Sequence, residues 1–316
     1  MIRVHKSIDF LKNSDNSIKK NIVFLDIDGV IQGYSNQSRF NMDEMKLRKY
    51  LVDKYNDSIY SVIDFYDLSA AYFDWDEIAL GYLKDILRSH NAYLVIHSGW
   101  RETAPKEHLI ALFKLYDMDG YILDVLPTGK KEIVIQDYLN SHPEILNYAV
   151  IDDDSMVSTF GCHFCQTYNV LNHTDYIYLN HLFYSNYLIN SIDCGYELFK
   201  NNKRTISANM VIKKIKDINV VFLNFITEKG VSAYDILYFY NEIKKLLYQQ
   251  GLNYIVLQYF DLDIYGLLNK YSSYKMNDSF ILFEVVNEKG FKGQKYFKDN
   301  KSVLLDISEK IFNRFI

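Results

Sequence analysis

The chain has 316 residues, 49% hydrophobic and 24% charged, which excludes a disordered protein and suffices for one large or two modest domains. A net charge of −5 gives no overall pull toward nucleic acid, although a local basic patch is compatible with it. No apolar run approaches the roughly 18–20 residues of a membrane helix, so no membrane partner is expected.

Residues 1–17 carry Asp9 and Asp15 among Asn and Ser, without the apolar core of a signal peptide. Three cysteines are too few, and odd in number, for a disulfide framework, and a reducing cytoplasm fits best. Residues 1–20 read as a polar lead-in with one short helix at 8–12. Residues 22–25 are then continuously apolar, with two β-branched members, as in a strand buried on both faces. Asp26 and Asp28 follow at its carboxyl end, and Gly29 breaks the strand. Residues i and i+2 share a strand face, so both carboxylates can enter one site, where they need a cation or a shared proton. A helix over 42–54 and an aromatic, weakly periodic stretch at 60–72 follow; residues 31–73 read as a small insert or cap.

A clearer helix begins at Asp74. Trp75, Ile78, Ala79, Tyr82, Leu83 and Ile86 form a 3.6-residue stripe, and Asp74 with Glu77 resembles a capping box. The buried strand 92–96 ends in His97-Ser98-Gly99-Trp100-Arg101. A helix over 105–116 starts near Pro105, and a short strand at 121–123 leads to Thr128-Gly129-Lys130-Lys131 and a helix over 132–140. Strand 148–151 runs into Asp152-Asp153-Asp154; residues 164–168 are a last strand, with a helix near 175–188. This alternation predicts a parallel, doubly wound α/β sheet, whose ligands bind at the carboxyl ends of the strands.

Near residue 193 a second, smaller α/β domain is predicted, dividing the chain into 1–192 and 193–316. A strand at 220–226, a helix capped by Ser232 with Ile236, Tyr240, Ile243 and Leu247 on one face, and a strand at 254–260 make a βαβ unit with parallel strands. Strands at 280–286 and 302–305 and a terminal helix complete it, and Asn201-Asn202-Lys203-Arg204 reads as a loop near the boundary.

Strand ends thus carry Asp26 and Asp28, then Ser98, then Asp152 and Asp153, with Lys130 and Lys131 at a helix start between the last two. This order of motifs resembles the haloacid dehalogenase (HAD) superfamily of phosphotransferases. More narrowly, Ser98-Gly99-Trp100-Arg101, the stretch 131–139 and Val150-Ile151-Asp152-Asp153-Asp154 are similar to the HAD domain of "Swiss army knife" RNA-repair proteins. The phosphatase half of phage polynucleotide kinase-phosphatase has a similar layout. The resemblance covers about residues 21–188 and implies a Rossmann-like, HAD-like phosphatase.

The resemblance also implies roles. Asp26 is the nucleophile that forms an aspartyl-phosphate, and Asp28 is the acid and then the base. Ser98, Gly99 and nearby N–H groups hold phosphoryl oxygens, and Lys130 or Lys131 neutralises charge; the family patterns leave both lysines open. Mg2+ lies among Asp26, the Asp28 carbonyl and Asp153, with Asp152 supporting water or the lysine, an oxygen-only donor set that suits this cation. Arg101 stands open between a phosphate contact and a salt bridge. His97 replaces a serine of related sequences and either lines the site or is merely tolerated there.

The implied substrate is a nucleic-acid end phosphate, with a nucleotide or other small phosphoester as its rival. A non-catalytic module that recruits a protein partner through 193–316 is the alternative of another class. Cys162-His163-Phe164-Cys165 has Cys-x-x-Cys spacing, but i and i+3 point to opposite faces of a strand, which disfavours zinc. Asp261-Leu262-Asp263 echoes the first motif without its glycine and reads as a loop pair.

Overall fold

The computed structural model describes residues 20–34, 43–215, 218–252, 254–258, 274–275 and 281–285. The first part runs β1 (Lys20–Leu25), α1 (Glu44–Tyr55), α2 (Phe65–Phe73), α3 (Glu77–Ser89), β2 (Ala92–Ile96), α4 (Lys106–Lys114), β3 (Ile122–Val125), α5 (Lys131–Ser141), β4 (Ile145–Asp152), α6 (Val157–Phe160), β5 (Phe164–Gln166) and α7 (His173–Tyr184). Its five strands pair in parallel in the order β3-β2-β1-β4-β5, the doubly wound sheet that the alternation predicts.

β1 is central because both of its faces are apolar. Ile22 and Phe24 enter one core with Val95, Ile135 and Val150, while Val23 and Leu25 enter the other with Leu94, Ile96 and Ile151. Pairing of Leu25 with both Ile96 and Ile151 sets the register. It is carried one residue further by the amide of His97 donating to Leu25 O and that of Asp26 to Ile151 O, both at 3.0 Å. Asp26, His97 and Asp152 therefore come abreast at the carboxyl ends of three adjacent strands.

Within the 31–73 stretch, α1, a 3-10 turn at Ser58–Ser61 and α2 lie toward α4; buried Tyr60 donates its hydroxyl to Ala111 O at 2.9 Å. The helix expected from Asp74 begins later. Asp74 closes α2, Trp75 bridges to Gln32 in antiparallel fashion, and Asp76 caps α3 by accepting the amides of Ile78 and Ala79. Residues bridged to Gln32 cannot also be helical, so the Asp74–Glu77 capping box does not form.

The helix expected to reach residue 188 ends at Tyr184, and β6 (Tyr187–Ile192) opens a second sheet. β7 (Gly195–Lys200), β8 (Lys203–Ile215), β9 (Ile218–Thr227), α8 (Ala233–Gln249), β10 (Tyr254–Gln258), β11 (Tyr274–Lys275) and β12 (Ile281–Val285) follow. Their order is β11-β12-β10-β9-β8-β7-β6. β9 and β10 pair in parallel across α8, the expected βαβ unit, and the remaining pairs are antiparallel. Asn201 and Asn202, read as a boundary loop, are instead the two-residue turn of the β7–β8 hairpin. Their φ of 51° and 64° and the pairing of Lys200 with Lys203 match the left-handed turn that suits twisted strands.

α8 carries a capping box, Ser232 with Asp235, and lies between the two parts. Phe239 packs against Phe225 of β9 at 5.6 Å, while Asn241 donates to the Tyr178 hydroxyl of α7. The helix at 8–12, residues 35–42 of the insert, Asp261 and Asp263, and the elements after residue 285 lie outside the described residues. Among the described residues no helix is long and apolar enough to cross a membrane.

Candidate active site

Asp26 is nearly buried. One of its oxygens accepts the amide of Ile27 at 2.8 Å, and the other accepts Lys131 Nζ at 2.6 Å. The same ammonium donates to Asp152 Oδ2 at 2.8 Å, so one lysine joins two strand ends. Burial alone would push the Lys131 ammonium down; the Asp152 and Asp26 carboxylates outweigh it and hold the lysine above its ordinary value. Lys130 is half exposed, with Glu132 at 3.9 Å. Of the two lysines, Lys131 is the one that meets the aspartates.

Asp152 is fully buried and densely bonded. Oδ1 accepts the amide of Asp154 at 2.8 Å, and Oδ2 accepts His97 Nε2 at 2.9 Å besides the lysine. Burial pushes its carboxyl up, but His97 and Lys131 overcome that and hold it below the usual carboxylate range. His97 therefore supports Asp152 from beneath; its Nδ1 has no partner among the described residues.

Asp153 has the opposite environment. Its carboxylate accepts the Tyr34 hydroxyl, and its carbonyl accepts Gln166 Nε2 at 3.0 Å. Burial pushes its carboxyl up, the Tyr34 hydrogen bond works the other way, and the Asp152, Asp26 and Asp154 charges push it up further. Gly29 makes room for this arrangement. Its φ is +72°, and a Cβ there would stand 2.7 Å from Asp153 Cγ and 2.6 Å from the Tyr34 hydroxyl.

One oxygen from each of Asp26, Asp152 and Asp153 lies within 4.8 Å of the others. Lys131 serves the first two, whereas Asp153 meets a hydroxyl. The trio is thus left with excess negative charge in a partly dry site, and hard oxygen donors in that number fit a divalent cation of the Mg2+ type.

Asp28 stands apart from this trio. Its Oδ1 accepts Gln32 Nε2 and its Oδ2 accepts Trp100 Nε1, both at 3.0 Å. Ser98 is fully buried and caps the 3-10 turn Gly99–Glu102 by accepting the Trp100 amide at 3.4 Å. Gly99 is exposed, with open space where a Cβ would stand. The nearly buried guanidinium of Arg101 bonds to the carbonyls of His97, Ser98 (2.7 Å), Pro127 (3.1 Å) and Gly129 (2.9 Å). It ties the loop after β2 to the loop that delivers Lys131.

Gln32, Tyr34 and Trp100 were not legible as site residues. Trp100 lies inside a recognisable motif, which is a signal, but nothing in the spacing of Gln32 or Tyr34 brings them beside Asp28 and Asp153. Cys162 and Cys165 are buried and outside any disulfide, and His163 bonds to Tyr148 O at 2.8 Å; among the described residues they form no metal cluster.

A parallel sheet with acidic strand ends, a bridging lysine and an acid two residues beyond the first aspartate is the arrangement of a HAD-like domain. Residues 22–171 match the family model described as the HAD domain in Swiss Army Knife RNA repair proteins, and this stretch of the chain is a HAD domain of that family. No curated protein matches the chain.

Proposed function

We propose that the chain hydrolyses a phosphomonoester through an aspartyl-phosphate on Asp26, with Mg2+ as its metal. The observation that carries this reading is Lys131 joining Asp26 and Asp152, with an Asp153 oxygen within 4.8 Å of both aspartates. Bound by Asp26, Asp153 and the Asp28 carbonyl, with Asp152 beside it, Mg2+ would neutralise phosphoryl charge.

The chain's own residues do the rest. Asp26, held by the Ile27 amide and Lys131, presents a fixed oxygen to phosphorus. Asp28 gives its proton to the departing oxygen and then takes one from the water that releases phosphate. Exposed Gly99 offers an N–H at the turn after β2, and Lys131 meets the charge that develops between nucleophile and phosphoryl group. Hydrolysis of an aryl phosphate with Mg2+ by the wild type, and loss of it in Asp26→Asn, tests the mechanism; equal activity in both rejects it.

For the substrate, the description of the matched family favours a nucleic-acid end phosphate. A nucleotide is the second reading. Competition between a phosphorylated oligonucleotide and a mononucleotide separates them: preference for the oligonucleotide supports the first, and equal inhibition supports the second.

A further inference from the structure

Two neutral side chains hold Asp28, one on each oxygen: Gln32 Nε2 on Oδ1 and Trp100 Nε1 on Oδ2. Both are themselves fixed. Gln32 is 6% exposed, its amide donates to Ile27 O, its carbonyl accepts the Gly29 amide at 2.8 Å, and its backbone bridges to Trp75. Trp100 is 9% exposed and lies 5.8 Å from Trp75, which packs on Phe113 at 4.9 Å and Tyr116 at 5.7 Å. The donors come from different loops, after β1 and after β2, and converge on one carboxylate. The carbon–carboxylate torsion is soft, so a donor on each oxygen fixes the plane of the group. Gln32 Oε1 has no partner among the described residues, so a turned amide is free to accept from protonated Asp28.

We infer that Gln32 and Trp100 are positioning residues that aim Asp28 at the leaving oxygen. This rests on the phosphatase reading. In the first step an Asp26 oxygen bonds to phosphorus, the bond from phosphorus to the leaving oxygen breaks, and that oxygen takes the Asp28 proton. In the second, water bonds to phosphorus while Asp28 takes its proton, and the Asp26–phosphorus bond breaks to release phosphate. An alkoxide is too basic to depart without the proton, whereas a stabilised phenolate departs with little help. A well-aimed Asp28 therefore matters most for an alkyl ester.

The test measures kcat/KM, which reports formation of the aspartyl-phosphate, in full-length Trp100→Phe and Gln32→Met. The substrates are glycerol phosphate and p-nitrophenyl phosphate. Each variant is expected to lose at least about ten-fold more on the alkyl ester than on the aryl ester, a fraction of what a general acid supplies. Aryl-ester turnover reports folding in the same samples. Equal losses on the two esters in both variants, or no loss on either, overturn the inference. Asp26→Asn separates it from the reading beneath: activity surviving there removes both, while loss there with equal ester effects in the other variants removes the positioning role alone.

Discussion

Lys131 is the side chain on which the site's charge balance turns. Lys131→Met leaves two buried carboxylates without their cation, and breaking a buried pair typically costs about 3–5 kcal/mol. The lysine is 24% exposed, so the lower end of that range is expected, as a fall in melting temperature without metal that added Mg2+ partly restores. Lys130→Met should stay within about 0.5 kcal/mol, as for ordinary surface positions. Sequence could not separate these two, because a one-residue uncertainty in where a helix starts exchanges the inward and outward positions. Gly29→Ala makes a different prediction. Its left-handed backbone costs a side-chain-bearing residue about 1–2 kcal/mol, and the added Cβ would displace Asp153. Calorimetry should therefore show Mg2+ binding weakened well beyond the change in stability; unchanged affinity would remove Asp153 from the metal set. Asp26 and Asp152 were legible because each directly follows an apolar run of strand length, whose carboxyl end is where a parallel sheet places its site.

At the scale of elements, the parallel sheet was readable, and so was the β9-α8-β10 unit of the second sheet, whereas its strands β6, β7 and β8 were not. β1, β2 and β4 are apolar runs buried on both faces, whereas β6 alternates partly buried and exposed residues and contains Asn190 and Ser191. Such an alternating edge strand has no strong local signature, and Asn201-Asn202 looks the same in a hairpin turn as in a linker. What binds this region to the first part is Asp235 at the start of α8. It accepts His181 Nε2 and Lys200 Nζ at 2.8 Å, the Tyr187 hydroxyl at 2.5 Å and the Ser232 amide at 2.9 Å, thus joining α7, β6, β7 and α8. Burial pushes its carboxyl up, but these hydrogen bonds hold it far below the usual range. A depressed carboxyl contributes stability that is full above the unfolded value of about 3.9 and is lost as pH falls toward the folded value. Asp235→Ala is expected to cost about 3–5 kcal/mol near neutrality. The gap in melting temperature from wild type should persist down to about pH 5 and narrow below about pH 4. A gap independent of pH would contradict the ionised junction.

For the whole molecule, the two sheets share one apolar core. The cluster that contains Val23 and Leu25 of β1 also contains Val221 of β9, Phe239 of α8 and Ile255 of β10. The Tyr178 hydroxyl donates to Cys162 O at 2.7 Å and accepts from Asn241, so α8 lies against α7 and the turn after α6. A single cooperative unfolding transition is therefore expected by scanning calorimetry. Truncation at residue 193 should give an aggregating product, because it cuts the β6–β7 hairpin and strips α8 from the first part. Two separate transitions would contradict this. The division into 1–192 and 193–316 rests on a change of sequence pattern near residue 193, whereas contacts between distant elements leave no trace in local periodicity. The central claim is that aspartates gathered at adjacent strand ends make Asp26 a nucleophile toward phosphorus. The most direct measurement is mass spectrometry of the peptide bearing Asp26 after acid quench during turnover of a phosphomonoester with Mg2+. A phosphoryl group on Asp26, absent with chelator and in Asp26→Asn, is the predicted result; turnover that continues in Asp26→Asn would contradict the account.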